Sequence, residues 1–319
     1  MRSSEQVHSR TLVRAAEVWT PSRDGNTIEL TSGAYGGLKE VERASQELRA
    51  NRGVGLSGRV WETGRALVLN HFHDEAGSAR ADAALRSGLA AGLGIPVYDG
   101  DELVSVCVLL CGDPSGACGA VEVWEPEEVR DCLGLGSGYF GAYDGFRRLS
   151  SLMKFPRGVG LPGQVWESGR AIVFDDLSGA GPFMRAAAAE TYGFTAGVGI
   201  PVFKRDVLSS VLLLLSVKGN PIARGLEVWV PDIEDRRLSL ASAAYDGAVA
   251  VRAASEGLML EPGQGLPGTV WSTRRPRVVD ALAEEFERSS AARQAELSIG
   301  VGIPIIEGDK VRAVVVLLN

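Results

Sequence analysis

The stretch Gly158–Arg170 reads GVGLPGQVWESGR. Its first eight letters fit G-x-G-x-x-G-x-V, the spacing of the loop that covers ATP phosphates in protein kinases. Its first six fit the weaker dinucleotide-binding fingerprint. Context excludes both. A kinase loop needs flanking strands and a lysine on the next strand. Here LMKFPR precedes it, with Pro156 near its end, and the β-rich run Ala171–Phe174 after it carries no lysine. A dinucleotide loop needs a buried strand directly before the first glycine and an unbroken helix after it. Gly169 breaks such a helix within two turns. Gly158, Gly160 and Gly163 therefore read as sites of positive φ or close backbone approach, and Trp166 as the cap of a core edge.

The same stretch occurs three times. GVGLSGRVWETGR begins at Gly53, with Gly55 and Gly58 following; GQGLPGTVWSTRR begins at Gly263, with Gly265 and Gly268. The starts at 53, 158 and 263 are 105 residues apart. EVW recurs at the same interval, at Glu17–Trp19, Glu122–Trp124 and Glu227–Trp229. A third anchor, G-[LV]-G-I-P-[VI], starts at Gly92, Gly197 and Gly300, so the last copy has lost two residues. All six tryptophans fall into this pattern, including Trp61 and Trp271, the counterparts of Trp166. A period of this length is domain-sized, not that of a stacked solenoid. The boundaries read 1–113, with a short N-terminal helix before the first core, then 114–219 and 220–319.

Within the second copy, Ala120–Trp124 alternates and ends at Pro126 like a strand, and Leu133–Gly138 reads as a second strand. Apolar spacing over Tyr139–Phe155 predicts a helix. A short helical turn through Val165–Glu167 stops at Gly169, and Ala171–Phe174 is a strand ending in Asp175 and Asp176. Phe183–Glu190 is helical by propensity, and Val198–Phe203 with Leu208–Val217 forms a hairpin across KRD. The fold class is α+β, with about five antiparallel strands per domain and helices on one face. The join KGNPIARG is short, so the last strand of one copy is expected to run by hairpin into the next, in a compact array.

These elements resemble the GAF domain, a small-molecule-sensing relative of the PAS fold. The resemblance rests on GLPGQVWESGRAIVFDD, FMRAAAAE, GVGIPV and VLLLLS in that order, and covers essentially the whole chain three times. It implies a sensory or scaffolding role. No kinase, cyclase, phosphodiesterase or DNA-binding segment is recognisable, nor are bilin-attachment or cyclic-nucleotide signatures. In the resembled fold, the strand end and following helix lie beside a cavity between sheet and helices. These positions are Asn70, Asp175 and Asp280, followed by Arg80, Arg185 and Arg288. The pairs could orient a polar ligand, or pin helix to strand as ion pairs or caps. Recurrence in all three copies favours the structural role. The second copy is the ligand-competent candidate, with Trp166, Asp175, Asp176, Phe183 and Arg185 around its pocket.

Thirty-three Lys and Arg against 40 Asp and Glu give a net charge of −7, which argues against nucleic acid and anionic membrane as partners. The N-terminal stretch is too polar for a signal peptide, and Val207–Val217 is too short to span a bilayer. The expected location is the cytoplasm. Cys107, Cys111, Cys118 and Cys132 cluster in one region, which raises a thiol redox enzyme resembling free methionine sulfoxide reductase as the enzymatic rival. Cys107 and Cys111 share a face of an apolar strand, where thiols are usually inert. His71 and His73 occur in one copy only and read as a solvated loop, so no metal site and no cofactor is assigned. The leading reading is a non-enzymatic sensory or regulatory protein that binds a small molecule or a signalling protein. A purely structural scaffold with filled cores is the other alternative.

Overall fold

The structure is a computed structural model that describes residues 11–72, 78–112, 119–179, 183–285 and 287–319. The expected N-terminal helix, the 113/114 boundary, His73 and Cys118 lie outside the described residues.

Each repeat folds in the same order, save for one additional short helix in the third. The first comprises β1 (Val13–Pro21), β2 (Thr27–Ala34), α1 (Lys39–Glu47), β3 (Arg49–Asn51), α2 (Gly55–Thr63), β4 (Leu67–Leu69), α3 (Ala79–Arg86), β5 (Ala91–Asp99) and β6 (Glu102–Cys111). The second runs β7 (Ala120–Pro126), β8 (Cys132–Tyr139), α4 (Asp144–Leu152), β9 (Lys154–Pro156), α5 (Gly160–Ser168), β10 (Ile172–Phe174), α6 (Ala186–Tyr192), β11 (Phe194–Lys204) and β12 (Val207–Val217). The third has β13 (Gly225–Pro231), β14 (Leu238–Tyr245), α7 (Val249–Ser255), β15 (Met259–Leu260), α8 (Gly265–Thr273), β16 (Arg277–Val279), α9 (Leu282–Glu285), α10 (Ser289–Gln294), β17 (Gly300–Glu307) and β18 (Lys310–Leu318). The 219/220 division falls between β12 and β13.

Every sheet is antiparallel with six strands, the first in the order β3-β2-β1-β6-β5-β4 and the others equivalent. The strand beyond the expected five lies just before the glycine motif. In the second copy, the run read as one helix over Tyr139–Phe155 is divided into α4 and β9. Phe155 turns into the core beside Trp124, with ring centroids 4.7 Å apart. The join between repeats also differs from expectation. The last strand of each copy pairs with the first strand of its own copy, β6 with β1 and β12 with β7, not with the next repeat. First and last strands thus form the centre of each sheet, which makes each sheet complete in itself.

The glycine motif builds a tight loop leading into α5. Gly158 has φ 74° and Gly160 φ 63°, conformations that penalise any Cβ. A Cβ on Gly163 would lie 2.1 Å from the Pro156 carbonyl oxygen. The loop amides are used internally, Gly158 N–H donating to Gly163 O at 2.8 Å and Val159 N–H to Pro156 O at 3.1 Å. The other two copies repeat the φ values and the close approach, at Gly53, Gly55 and Gly58, and at Gly263, Gly265 and Gly268. Helices α2 and α5 end on left-handed Gly64 and Gly169, but α8 ends on Arg274 at φ 57°.

Both faces of the sheets are buried, which explains the nearly continuous apolar run of β6. Val106, Val108 and Leu110 pack with Val41 of α1, Leu56 and Val60 of α2, and Ala84 of α3. Cys107, Leu109 and Cys111 face the other way, into a core shared with domains 2 and 3. The domains close into a ring of approximate threefold symmetry. Strand β4 packs near β8, β10 near β14 and β16 near β2, while β5, β11 and β17 meet at the axis. The Ile95–Val97, Ile200–Val202 and Ile303–Ile305 segments, each with proline at its centre, surround a gap of about 20 Å³ there. The Arg205 N–H donates to Gly100 O, and Gly308 N–H donates to Arg205 O, so the three hairpin turns touch. Domain 3 closes onto domain 1 through Arg274, whose Nη2 lies 2.6 Å from Asp99 Oδ1, and Arg275, which donates to Val104 O. Among the described residues, no helix is long and apolar enough to cross a membrane.

Candidate functional site: a buried arginine–glutamate cluster in each domain

The first strand of each domain carries the EVW segment. Strand alternation puts Glu and Trp, two residues apart, on the helix-covered face. Glu17, Glu122 and Glu227 are all fully buried, and so are Trp19, Trp124 and Trp229. Each indole N–H donates to its own glutamate at 2.8–3.0 Å.

The arginine entering or capping the later helix descends onto that carboxylate. In domain 2, Arg185 Nη1 and Nη2 lie 2.5 and 2.8 Å from Glu122 Oε1 and Oε2, a bidentate pair. Ser150, on α4, donates to Glu122 Oε1 at 2.8 Å and accepts from Arg185 Nη1 at 2.6 Å. Domain 1 repeats this with Arg80 on Glu17 at 2.7 Å and Ser45 donating to Glu17 at 2.6 Å. Domain 3 repeats it with Arg288 on Glu227, its Nη2 at 2.9 Å, and with Ser255 hydrogen-bonded to Arg288.

An aromatic residue 18 positions after the glutamate completes the shell, a tyrosine in domains 1 and 3 and a phenylalanine in domain 2. Tyr35 and Tyr245 donate their hydroxyls to Glu17 and Glu227 at 3.2 and 2.8 Å. Burial first, and the adjacent glutamate second, push both phenols well above their ordinary range. Domain 2 has Phe140 there, and Arg185 is ringed by Phe146, Phe183, Trp124 and Phe155 at 4.6–5.8 Å. Charge-assisted, bidentate geometry offsets the desolvation of both charges. The cluster therefore ties the central strand, the first helix and the last helix of each domain together from within.

The arginines' partners differ from those suggested by sequence. Arg80, Arg185 and Arg288 pair with the EVW glutamates rather than with Asn70, Asp175 and Asp280. Of the five second-domain candidates, only Phe183 and Arg185 come together, with 5.2 Å from ring centroid to guanidinium carbon. Trp166 is half-buried at the domain edge under Arg157, 4.1 Å from its ring centroid. Trp61 is half-buried under Arg52 in the same way, and Trp271 is also half-buried. Asp176 caps a turn by accepting from Ser178 N and Gly179 N, and the Gly179 bond foremost holds its carboxyl below the usual range. Asp175 lines a cleft between domains 2 and 3. Asp280 is held above its usual range, first by desolvation and then by Glu42.

Sequence reasoning missed the glutamate and serine of the cluster. Their signal was present: two polar residues 28 apart, identical in all three copies, at Glu17 and Ser45, Glu122 and Ser150, Glu227 and Ser255. Cys107 and Cys111 are 0% and 1% exposed, and burial pushes both thiols up to about 12. Cys132 is buried and lies 3.6 Å from Glu127 Oε2. His71 is exposed. Among the described residues, no group of three or more His, Cys, Asp or Glu side chains is arranged to hold a metal.

Strand order, glycine motif and helix placement define a chain of three tandem GAF-like domains. No family model and no curated protein matches it. Solved structures similar to it align with about one third of the chain, the span of one domain. A Staphylococcus aureus NreA protein mutated in its nitrate-binding site has 18% identity over 34% of this chain and 80% of its own, with a TM-score of 0.28. The free methionine-R-sulfoxide reductase of Neisseria meningitidis has 16% identity over 33% and 55%, with a TM-score of 0.26. The GAF domain of A. aeolicus nlh2 has 16% identity over 31% and 58%, with a TM-score of 0.25.

Proposed function

We propose that this chain is a non-enzymatic cytoplasmic regulatory protein that binds a small molecule or a signalling partner at the junctions between its GAF-like domains. One observation carries this reading: in all three domains the space between sheet and helices holds an Arg–Glu–Ser cluster of the protein's own. A ligand entering there would have to displace a buried ion pair, at a cost of several kcal/mol. Open, polar-lined space occurs instead between domains 2 and 3, in clefts of about 350 and 600 Å³. Cys107 and Cys111 fit a non-catalytic role, since buried thiols with pKa values raised to about 12 supply almost no thiolate at neutral pH. The acidic balance fits neither nucleic acid nor anionic lipid as partner.

Native mass spectrometry of the gently purified chain tests this reading. A copurifying small molecule, or a stable stoichiometric complex with another protein, is the expected result. A bare chain, with none recovered by affinity capture from its own cell extract, would overturn it.

A further inference from the structure

Approximate threefold symmetry lets each junction of the ring be compared with the others. One strand position holds Ala91, Ala196 and Ile299 in the three domains. Ile299 is 4% exposed, and its Cδ1 comes within 3.4 Å of where a Cβ on Gly36 would lie, filling the junction between domains 3 and 1. At the junction between domains 2 and 3, Ala196 replaces that isoleucine and Asp246 replaces that glycine. A cleft of about 350 Å³ is left open there.

The aromatic position beside the buried cluster tells the same story. Tyr35 and Phe140 are each 4% exposed, whereas Tyr245 is only half-buried and lines this cleft. Charged side chains line it as well. Lys218 and Arg252 face it, and Arg252 stands 5.5 Å over the Tyr245 ring; its counterparts are Glu42 in domain 1 and Arg147 in domain 2. Asp175 lines the same space, and neither it nor Lys218 makes an ion pair among the described residues. Asp246 is engaged, accepting from Gly219 N at 3.0 Å.

We propose that this cleft binds a small zwitterion of the free α-amino-acid type, its carboxylate drawn to Lys218 and Arg252 and its ammonium to Asp175. Its side chain would lie against Tyr245 and Leu226. A volume of about 350 Å³ is at the small end of ligand sites and is ample for a free amino acid. The Tyr245 hydroxyl bonds Glu227, so an occupant of the cleft rests on a ring tied directly to the buried cluster of domain 3. The proposal rests on the reading of this chain as a binding protein and specifies where and what it binds.

Calorimetry and thermal-shift assays on the full chain, with the twenty free amino acids and their N-acetyl and amide derivatives, test it. At least one amino acid should bind and raise Tm. Blocking either its amine or its carboxylate should weaken binding by roughly tenfold or more. A196I, which copies the isoleucine of the closed junction, and K218M, at an exposed side chain, should each weaken binding to a similar degree. K218M keeps the test decisive should A196I fail to fold. If no amino acid binds at roughly 10 mM, or if binding ignores both substitutions, the proposal is overturned. A different small molecule found by native mass spectrometry would then sink the cleft assignment while leaving the binding function standing.

Discussion

Arg185 grips Glu122 through two parallel hydrogen bonds of 2.5 and 2.8 Å, with both side chains 1% exposed or less and the two residues 63 positions apart in the chain. The pair joins the first strand of the domain to its last helix, and Ser150 adds the first helix. Removing one partner leaves the other charge buried and alone. E122L and R185M should each destabilise by about 3–5 kcal/mol, while the double replacement E122L/R185M should cost much less than the two single changes summed. Urea midpoints of the four proteins measure this, and additive effects would contradict it.

The glycine motif makes a contrast in backbone chemistry. At Gly163 a Cβ would collide with the Pro156 carbonyl oxygen, whereas Gly219 has φ 78° with open space around it. Gly219→Ala should cost about 1 kcal/mol, the ordinary left-handed penalty. Gly163→Ala must push backbone away from backbone and should cost clearly more. Thermal melts of the two variants side by side give the ranking.

Arg274 occupies a left-handed cap that glycine fills in the other two domains, and its guanidinium reaches Asp99 across the ring-closing junction. The strain costs about 1 kcal/mol or more, and a half-exposed pair returns a comparable amount. Arg274→Gly should therefore leave stability nearly unchanged. Asp99→Ala should destabilise the parent chain but have little effect in the R274G background. A double-mutant cycle in urea reads this coupling directly.

Cys107 and Cys111 predict a weakness to alkali. Desolvation raises both thiols to about 12, with Glu17 adding to the shift at Cys107. An exposed thiol in the unfolded chain titrates near 8.5. Below that pH both states hold the proton and nothing is lost. Above it the unfolded chain releases protons that the folded chain retains, so stability falls as pH rises toward 12. The slope reaches about 1.4 kcal/mol per pH unit for each thiol. Stability measured between roughly pH 8.5 and 10, before the buried tyrosines contribute, should decline more steeply in the parent than in a C107A/C111A variant.

Triplicated motifs at a fixed spacing made the domain count, the fold class and the glycine loop legible in the sequence, because turn chemistry and strand or helix periodicity act over a few residues. GVGLPGQVWESGR carries its own local instructions. The sixth strand escaped this reading because β9 is three residues long and follows α4 after a single residue, too short for a period of its own. The arginines were recognisable as a recurring feature, yet their partners were not. Asp175 is ten residues from Arg185 and Glu122 is 63, but the side-chain direction on a folded sheet, not chain distance, decides which carboxylate an arginine meets. The ring was hidden for a related reason. An apolar run such as VSVCVLLC declares that both strand faces are buried, but not what covers the second face. Only tertiary packing decided that three sheets bury those faces on one another, and that the junction between domains 2 and 3 holds an open cleft.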